Sequence, residues 1–338
     1  MLLFARTQNV VIMKTTLITL LIICSFGLQA QKKLKFERLE SMPTPAASFS
    51  MAQSEHDIYA VGGQNWTQWV SSDIQIYDSR AETWIEAPLK EVPRFINGSA
   101  IYLENHDCIM LAGGVTPFGR SLKLMDKMYA VYPKTLEVRE LGPVPAPARK
   151  MGVAYADEKV YMFGGSTFTW RSEQGRRYYR FSKKLYEYDL FSGVVKELSD
   201  MPFGMETQGG IVDGNLYVFG GFDGTQRSTV YKYDIAANEW NKLPSMEKTV
   251  SDPALIQYKH YFILVGDYTQ SNQLIVYDTK NEQARYFKTN IQGRRLGASI
   301  LGNDLHVYGG LDTNQGFLKQ EHYKLSLDKI IGKAGSIQ

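Results

Sequence analysis

The sequence predicts an all-β repeat fold, and three observations carry that expectation. A hydrophobic run that stops on glycine occurs six times, an aromatic followed by aspartate recurs downstream of it, and no helical period follows any of the glycines. The runs are AVGG ending at Gly63, LAGG at Gly114, MFGG at Gly165, VFGG at Gly221, VYGG at Gly310 and the weaker ILVGD, with its single glycine at Gly266. The first glycines, at 62, 113, 164, 220, 266 and 309, are separated by 51, 51, 56, 46 and 43 residues, so six units fill the chain and leave no room for a second domain.

Within a unit the order is constant. A lead-in segment precedes a first strand, and a second strand such as Asn215–Phe219 ends on the glycines. A variable loop follows, and then a third strand marked by Tyr77-Asp78, Tyr188-Asp189, Tyr233-Asp234 or Tyr277-Asp278. Trp84 and Trp240 open the fourth strand in their units. Four short strands separated by turn residues read as a meander, labelled a to d below. The glycines have a structural reason: a strand end crowded by its neighbours leaves no space for a Cβ, and the turn that follows needs φ > 0. A phosphate cradle would instead require a helix N-terminus after the glycines, and none is predicted.

The chain has 338 residues, 44% of them hydrophobic and 12% aromatic, enough to bury a large core. Its 38 basic and 35 acidic residues nearly balance, which argues against a dedicated nucleic-acid binder. From Met13 the chain reads MKTTLITLLIICSFGLQAQ, a secretory signal peptide with cleavage expected after Ala30. The apolar run is too short for a permanent membrane anchor. Residues 1–30 are therefore expected to be a signal segment, with 1–12 read as a misassigned start, and residues 31–338 the mature domain in a periplasmic or secreted location. Cys24 leaves with the signal and Cys108 then stands alone, so no internal disulfide is expected.

These motifs resemble the kelch repeat, which has a double glycine after strand b, a Tyr-Asp pair at strand c and a tryptophan at strand d. The resemblance covers about residues 32–330 and is strong in units one, three and four; in unit two Tyr132 is followed by Pro133, and in unit five Gly266 by Asp267. It implies a six-bladed β-propeller with one four-stranded blade per unit. A closed ring must join its ends. Residues 36–42, FERLESM, match 240–246, WNKLPSM, in aromatic, basic, Leu, Ser and Met positions, so the N-terminal segment is expected to serve as strand d of the last blade.

In a meander the lead-in to strand a and the loop after strand b lie on one face. Fifteen residues before the first glycine stand Arg149 and Arg294, with Arg295 beside the latter. Arg94 occupies the lead-in of unit two, Glu206 that of unit four, and Ser251 and Asp252 that of unit five. Arginines gathered near the axis would hold a carboxylate or sulfate through forked hydrogen bonds; alternatively, each ties strand a to a neighbouring loop. Trp66, Trp69, Phe168 and Trp170 in the post-glycine loops suit a sugar face or a partner protein. Residues 171–184, RSEQGRRYYRFSKK, form a basic stretch that either attracts an acidic surface or is simply solvated.

Catalytic patterns are sparse. The five histidines show no ligand spacing, no metal site and no cofactor are expected, and Cys108 is misplaced for a kelch-type copper oxidase. The stretch 291–299, IQGRRLGAS, resembles strand a of exported bacterial kelch propellers that are sialic acid mutarotases. That resemblance implies Glu206 and Asp267 as acid/base candidates, with Arg94, Arg149 and Arg294 on the substrate carboxylate. Two functional readings follow: an exported binding module recognising a glycan or protein, with Arg94, Arg149, Arg294, Arg295, Trp66 and Trp170 as ligand contacts; or an N-acetylneuraminate mutarotase or epimerase. Neither involves nucleic acid or stable membrane insertion.

Overall fold

A computed structural model describes residues 33–171 and 177–332. The signal segment expected at 1–30 lies outside them, as do residues 172–176 of the basic stretch. Six antiparallel sheets carry the strand order a-b-c-d. Blade 1 comprises Ser50–Gln53, Asp57–Gly63, Ser71–Asp78 and Thr83–Ala87. Blade 2 comprises Ser99–Leu103, Cys108–Ala112, Lys127–Tyr132 and Glu137–Pro143, and blade 3 Gly152–Ala156, Lys159–Phe163, Leu185–Asp189 and Val195–Glu197. Blade 4 is Glu206–Val212, Asn215–Phe222, Gln226–Asp234 and Glu239–Leu243, and blade 5 Ala254–Tyr258, Tyr261–Val265, Gln273–Asp278 and Gln283–Thr289. Blade 6 takes Gly297–Leu301, Asp304–Tyr308 and His322–Ser326 from the C-terminal unit and Glu37–Arg38 from the N-terminal segment. Strand a of each blade packs against strand a of the next, from blade 1 to blade 6 and back to blade 1, so the fold is a six-bladed β-propeller.

The glycines lock blade to blade. The second of each pair donates its N–H to a carbonyl leading into the next blade: Gly63 to Phe95, Gly114 to Ala148, Gly165 to Met205, Gly221 to Val250 and Gly310 to Ala46, at 2.7–2.8 Å. The first glycine sits on the same contact. At Gly113 φ is +66°, and an added Cβ would lie 2.5 Å from the Ala148 oxygen. The Tyr-Asp pairs divide their work. Tyr77, Tyr188, Tyr233 and Tyr277 are buried, while Asp78, Asp189, Asp234 and Asp278 each accept a backbone N–H two or three residues on, closing the c–d turn.

The ring closes as the sequence implied, and at two radii. On the outside, Glu37 pairs with Lys324 and Arg38 with Tyr323, while Leu39 N–H donates to the His322 carbonyl at 2.8 Å. Asn290 clasps the same segment, accepting from Phe36 N–H at 2.7 Å and donating to its carbonyl, and Leu34, Phe36 and Met42 are buried. Near the axis the Gln53 amide acts as a strand mimic across blades 1 and 6, donating to Ile300 O at 2.8 Å and accepting from Ile300 N at 2.7 Å.

Two features were not legible beforehand. The post-glycine loops of blades 2 and 3 form separate two-stranded ribbons, Val115–Phe118 with Ser121–Leu124 and Ser166–Arg171 with Arg177–Phe181. Also, His306 and His322 meet across strands b and c of blade 6. Trp84 Nε1 donates to His322 Nδ1 at 3.2 Å, and His322 Nε2 lies 2.8 Å from His306 Nδ1.

Candidate functional site

The axial channel has a cavity volume of about 320 Å³ and is lined by strand a of all six blades. Its charged lining residues, Lys150, Asp252 and Arg295, all stand at one mouth, on the face carrying the post-glycine loops. The pairing pattern fixes which residues are equivalent there. Ala47 bridges Gln64, Ile96 bridges Val115, Arg149 bridges Ser166 and Arg294 bridges Leu311. The glycine locks place Glu206 and Ser251 at the same step in blades 4 and 5. One residue further on stand Ser48, Asn97, Lys150, Thr207, Asp252 and Arg295, of which Ser48, Asn97, Lys150 and Arg295 adopt φ of +50 to +57°.

Around blades 1 to 3 this inner ring is joined by backbone: Asn97 N–H donates to Ser48 O at 3.0 Å and Lys150 N–H to Asn97 O at 2.8 Å. Around blades 3 to 6 it is joined by charge. Arg149 Nη2 donates to Glu206 Oε1 at 2.6 Å and Arg149 Nε to Ser166 Oγ at 3.1 Å, while Ser166 Oγ donates to the same carboxylate at 2.6 Å. Lys150 Nζ donates to Asp252 Oδ2 at 2.8 Å and lies 3.7 Å from Glu206 Oε2; Arg295 Nε is 3.6 Å from Asp252. Burial alone would raise the Asp252 carboxyl, but Lys150 and Arg295 hold it below the ordinary aspartate value.

Of the sequence candidates, Arg149, Arg294, Arg295 and Glu206 are brought to this mouth. Arg94 is not in register with them: it is exposed and stands two residues before Ile96, which holds the equivalent place. Asp267 is fully buried, accepting from Ser251 N–H at 2.7 Å and from both the N–H and the hydroxyl of Thr269 at 3.1 Å. These bonds hold its loop to the lead-in of blade 5. Trp66 is 62% exposed and meets Phe317 of blade 6 edge-on, with ring centroids 6.5 Å apart. Trp170 belongs to the blade 3 ribbon, and its side chain lies outside the described residues.

Sequence reasoning missed Lys150, although the doublet Arg149-Lys150 parallels Arg294-Arg295. It also missed the other aromatics of this face. Phe118, Tyr178, Tyr268 and Phe317 are exposed, as the expected Trp66 and Trp69 are, and together these rings come from the post-glycine loops of five blades. Tyr268 and the half-buried Tyr179 serve as platforms: Arg294 lies 4.3 Å over the Tyr268 ring, and Arg149 lies 4.4 Å over Tyr179.

Residues 45–88 and 209–247 match the family model for the Kelch motif. The chain is 27% identical to human Kelch-like protein 38 over 258 residues, which is 74% of this chain and 41% of that protein. It is 25% identical to Kelch-like protein 25 of Xenopus tropicalis over 232 residues, 67% of this chain and 37% of that one. The matched region is thus less than half the length of these relatives.

Proposed function

We propose that this chain, a kelch-repeat β-propeller, is an exported binding module that grips a protein partner with its post-glycine loop face. The observation that carries the reading is the rim of exposed aromatics around the channel mouth, Trp66, Trp69, Phe118, Tyr178, Tyr268 and Phe317. Single exposed apolar residues are ordinary on any surface, but several rings converging on one face mark a contact surface. Aromatic anchors of this kind bring large area at small entropic cost, and the cationic mouth between them adds orientation. The kelch-like relatives support a protein-interaction role in preference to a glycan one.

Site-specific photo-crosslinking in the producing cell tests this. A probe at Phe317 should trap one partner that a probe at Phe191, in a c–d turn on the opposite face, does not. The purified partner should lose at least about tenfold in affinity to Trp66→Ala. Equal trapping from both faces would overturn the reading. Binding only to arrayed glycans would replace it with carbohydrate recognition. Faster interconversion of sialic acid anomers, read by NMR, would replace it with the mutarotase.

A further inference from the structure

The repeat supplies its own comparison for the junction that closes the ring. In blades 1, 3, 4 and 5 the residue before the first glycine pairs with Ile74, Leu185, Val230 and Leu274 of strand c, and each of these is fully buried. In blade 6 the partner is His322, equally buried. An imidazole thus stands where four sister blades carry an aliphatic side chain, and it touches each part of the chain that arrives from the N-terminal side of the break. Its carbonyl accepts the Leu39 N–H, its Nδ1 accepts the Trp84 indole N–H at 3.2 Å, and Tyr77 meets the ring edge-on with centroids 4.6 Å apart. Its Nε2 lies 2.8 Å from Nδ1 of His306, which is also buried. Apolar packing is thinnest at this same junction, where the core holds eight buried residues among the described residues, against eleven to eighteen at the other five. The junction also runs through the binding face. Trp66 of blade 1 meets Phe317 of blade 6 there, so two of the rim aromatics keep their spacing only while the ring is shut.

From these placements we infer that the blade 6–blade 1 junction is an acid-sensitive latch, in which the His306–His322 pair holds the ring shut, and that acid opens it there first and releases the partner by parting Trp66 from Phe317. The groups facing the pair are Tyr77 and Trp84 from blade 1, Tyr308 on strand b, Lys324 directly opposite His306 on strand c, and the Glu40 backbone of the N-terminal segment. No carboxylate bonds to either ring among the described residues. Burial, aided by Lys324 and at His322 also by His306, keeps both rings neutral; the Glu40 backbone favours a charged His322 and is outweighed. Once the junction parts, both rings reach water and titrate near 6.5, so the open state gains protons as pH falls while the shut state does not. Between pH 7 and pH 5 this shifts the opening equilibrium by about 25-fold per ring, or about 600-fold for the pair. The release step rests on the binding-face reading above; the latch itself does not.

Native-state hydrogen exchange of the purified chain at pH 7 and pH 5, corrected for the intrinsic rate, tests the latch with no partner present. Protection of the amides that cross the junction, Leu39 to His322 and Gly310 to Ala46, should fall by about 600-fold, while the matching amides Gly114 and Gly165 at other junctions change by less than about tenfold. His306→Asn/His322→Gln should remove the loss at Leu39 and Gly310, and His306→Asn alone should reduce it to about 25-fold. If the double variant does not fold, the single variant and the wild-type contrast decide. Equal losses at all four amides, no loss at the junction, or a loss that persists in the folded double variant would each overturn the latch. The partner trapped from Phe317 then tests release. Its affinity should drop at least about tenfold between pH 7 and pH 5 for the wild type and stay within about twofold for the double variant. A partner held equally at both pH values by a chain whose junction opens would overturn release alone. Failure to trap any partner at pH 7 would overturn the binding face and release together, and the exchange result would still decide the latch.

Discussion

Removing His306 and His322 should abolish most of the protein's stability loss between pH 7 and pH 5. Their hydrogen-bond chain dictates their protonation. Trp84 Nε1–H donates, so His322 must accept at Nδ1 and carry its proton on Nε2, and His306 must then accept at Nδ1. Both rings are neutral in that arrangement, and a second proton on His322 would point at the indole N–H. Burial, reinforced by the Lys324 ammonium and at His322 also by His306, lowers His306 to about 4 and His322 to about 3. An unfolded histidine titrates near 6.5. The unfolded chain therefore binds more protons than the folded one as pH falls below 6.5, so stability falls with acid until the folded values are reached. Down to pH 5 the folded pair stays neutral, and the loss over 1.5 pH units is about 2 kcal/mol per histidine, or about 4 kcal/mol for the two. Denaturant unfolding of the wild type and of His306→Asn/His322→Gln at pH 7, 6 and 5 measures it, because the remaining histidines cancel in the difference. A double variant whose stability falls with pH as steeply as the wild type, within about 1 kcal/mol, would refute the neutral-pair assignment.

Gly113→Ala should cost at least about 2 kcal/mol, whereas Gly119→Ala, with φ of +57° but nothing within 4 Å of an added Cβ, should cost about 1 kcal/mol; equal losses in thermal unfolding would mean that backbone strain alone matters. Gln53→Leu removes both amide bonds to Ile300 and should lower stability by about 1–3 kcal/mol, with faster hydrogen exchange at the Ile300 amide than at the equivalent strands of blades 3 and 4. Glu206→Ala leaves Arg149 without its carboxylate in a site where the arginine side chain is only 16% exposed, and should cost about 3 kcal/mol, measured by denaturant unfolding.

The blades were legible because each repeats a steric demand that only a few residues meet. A glycine pair is required wherever a strand end abuts the next blade's carbonyl, and FERLESM was recognisable as strand d because blade 4 contains its counterpart. Features that break the repeat were hidden for the same reason. The ribbons of blades 2 and 3 lie off the blades and have no sister unit to reveal them. The helical turn at Glu104–His106 lengthens the connection from strand a to strand b in blade 2, so counting back from its glycine does not lead to Ile96, the true counterpart of Arg149. His306 and His322 are sixteen residues apart in sequence and become neighbours only through the loop between strands b and c.

The mouth shows why those departures matter for function. Blades 1 and 2 close the inner ring with backbone bonds through Ser48 and Asn97, so no side chain is needed there and none carries charge. Blades 3 to 6 close it with Lys150, Glu206, Asp252 and Arg295, which concentrates every formal charge of the ring on one side of the channel. Such an arrangement costs desolvation and gives little net stability, because buried ion pairs rarely outperform apolar packing. If stability were the sole demand, the backbone solution of blades 1 and 2 would serve all six positions. The asymmetry fits the binding face proposed above, and that reading requires that affinity for the partner fall as salt is added.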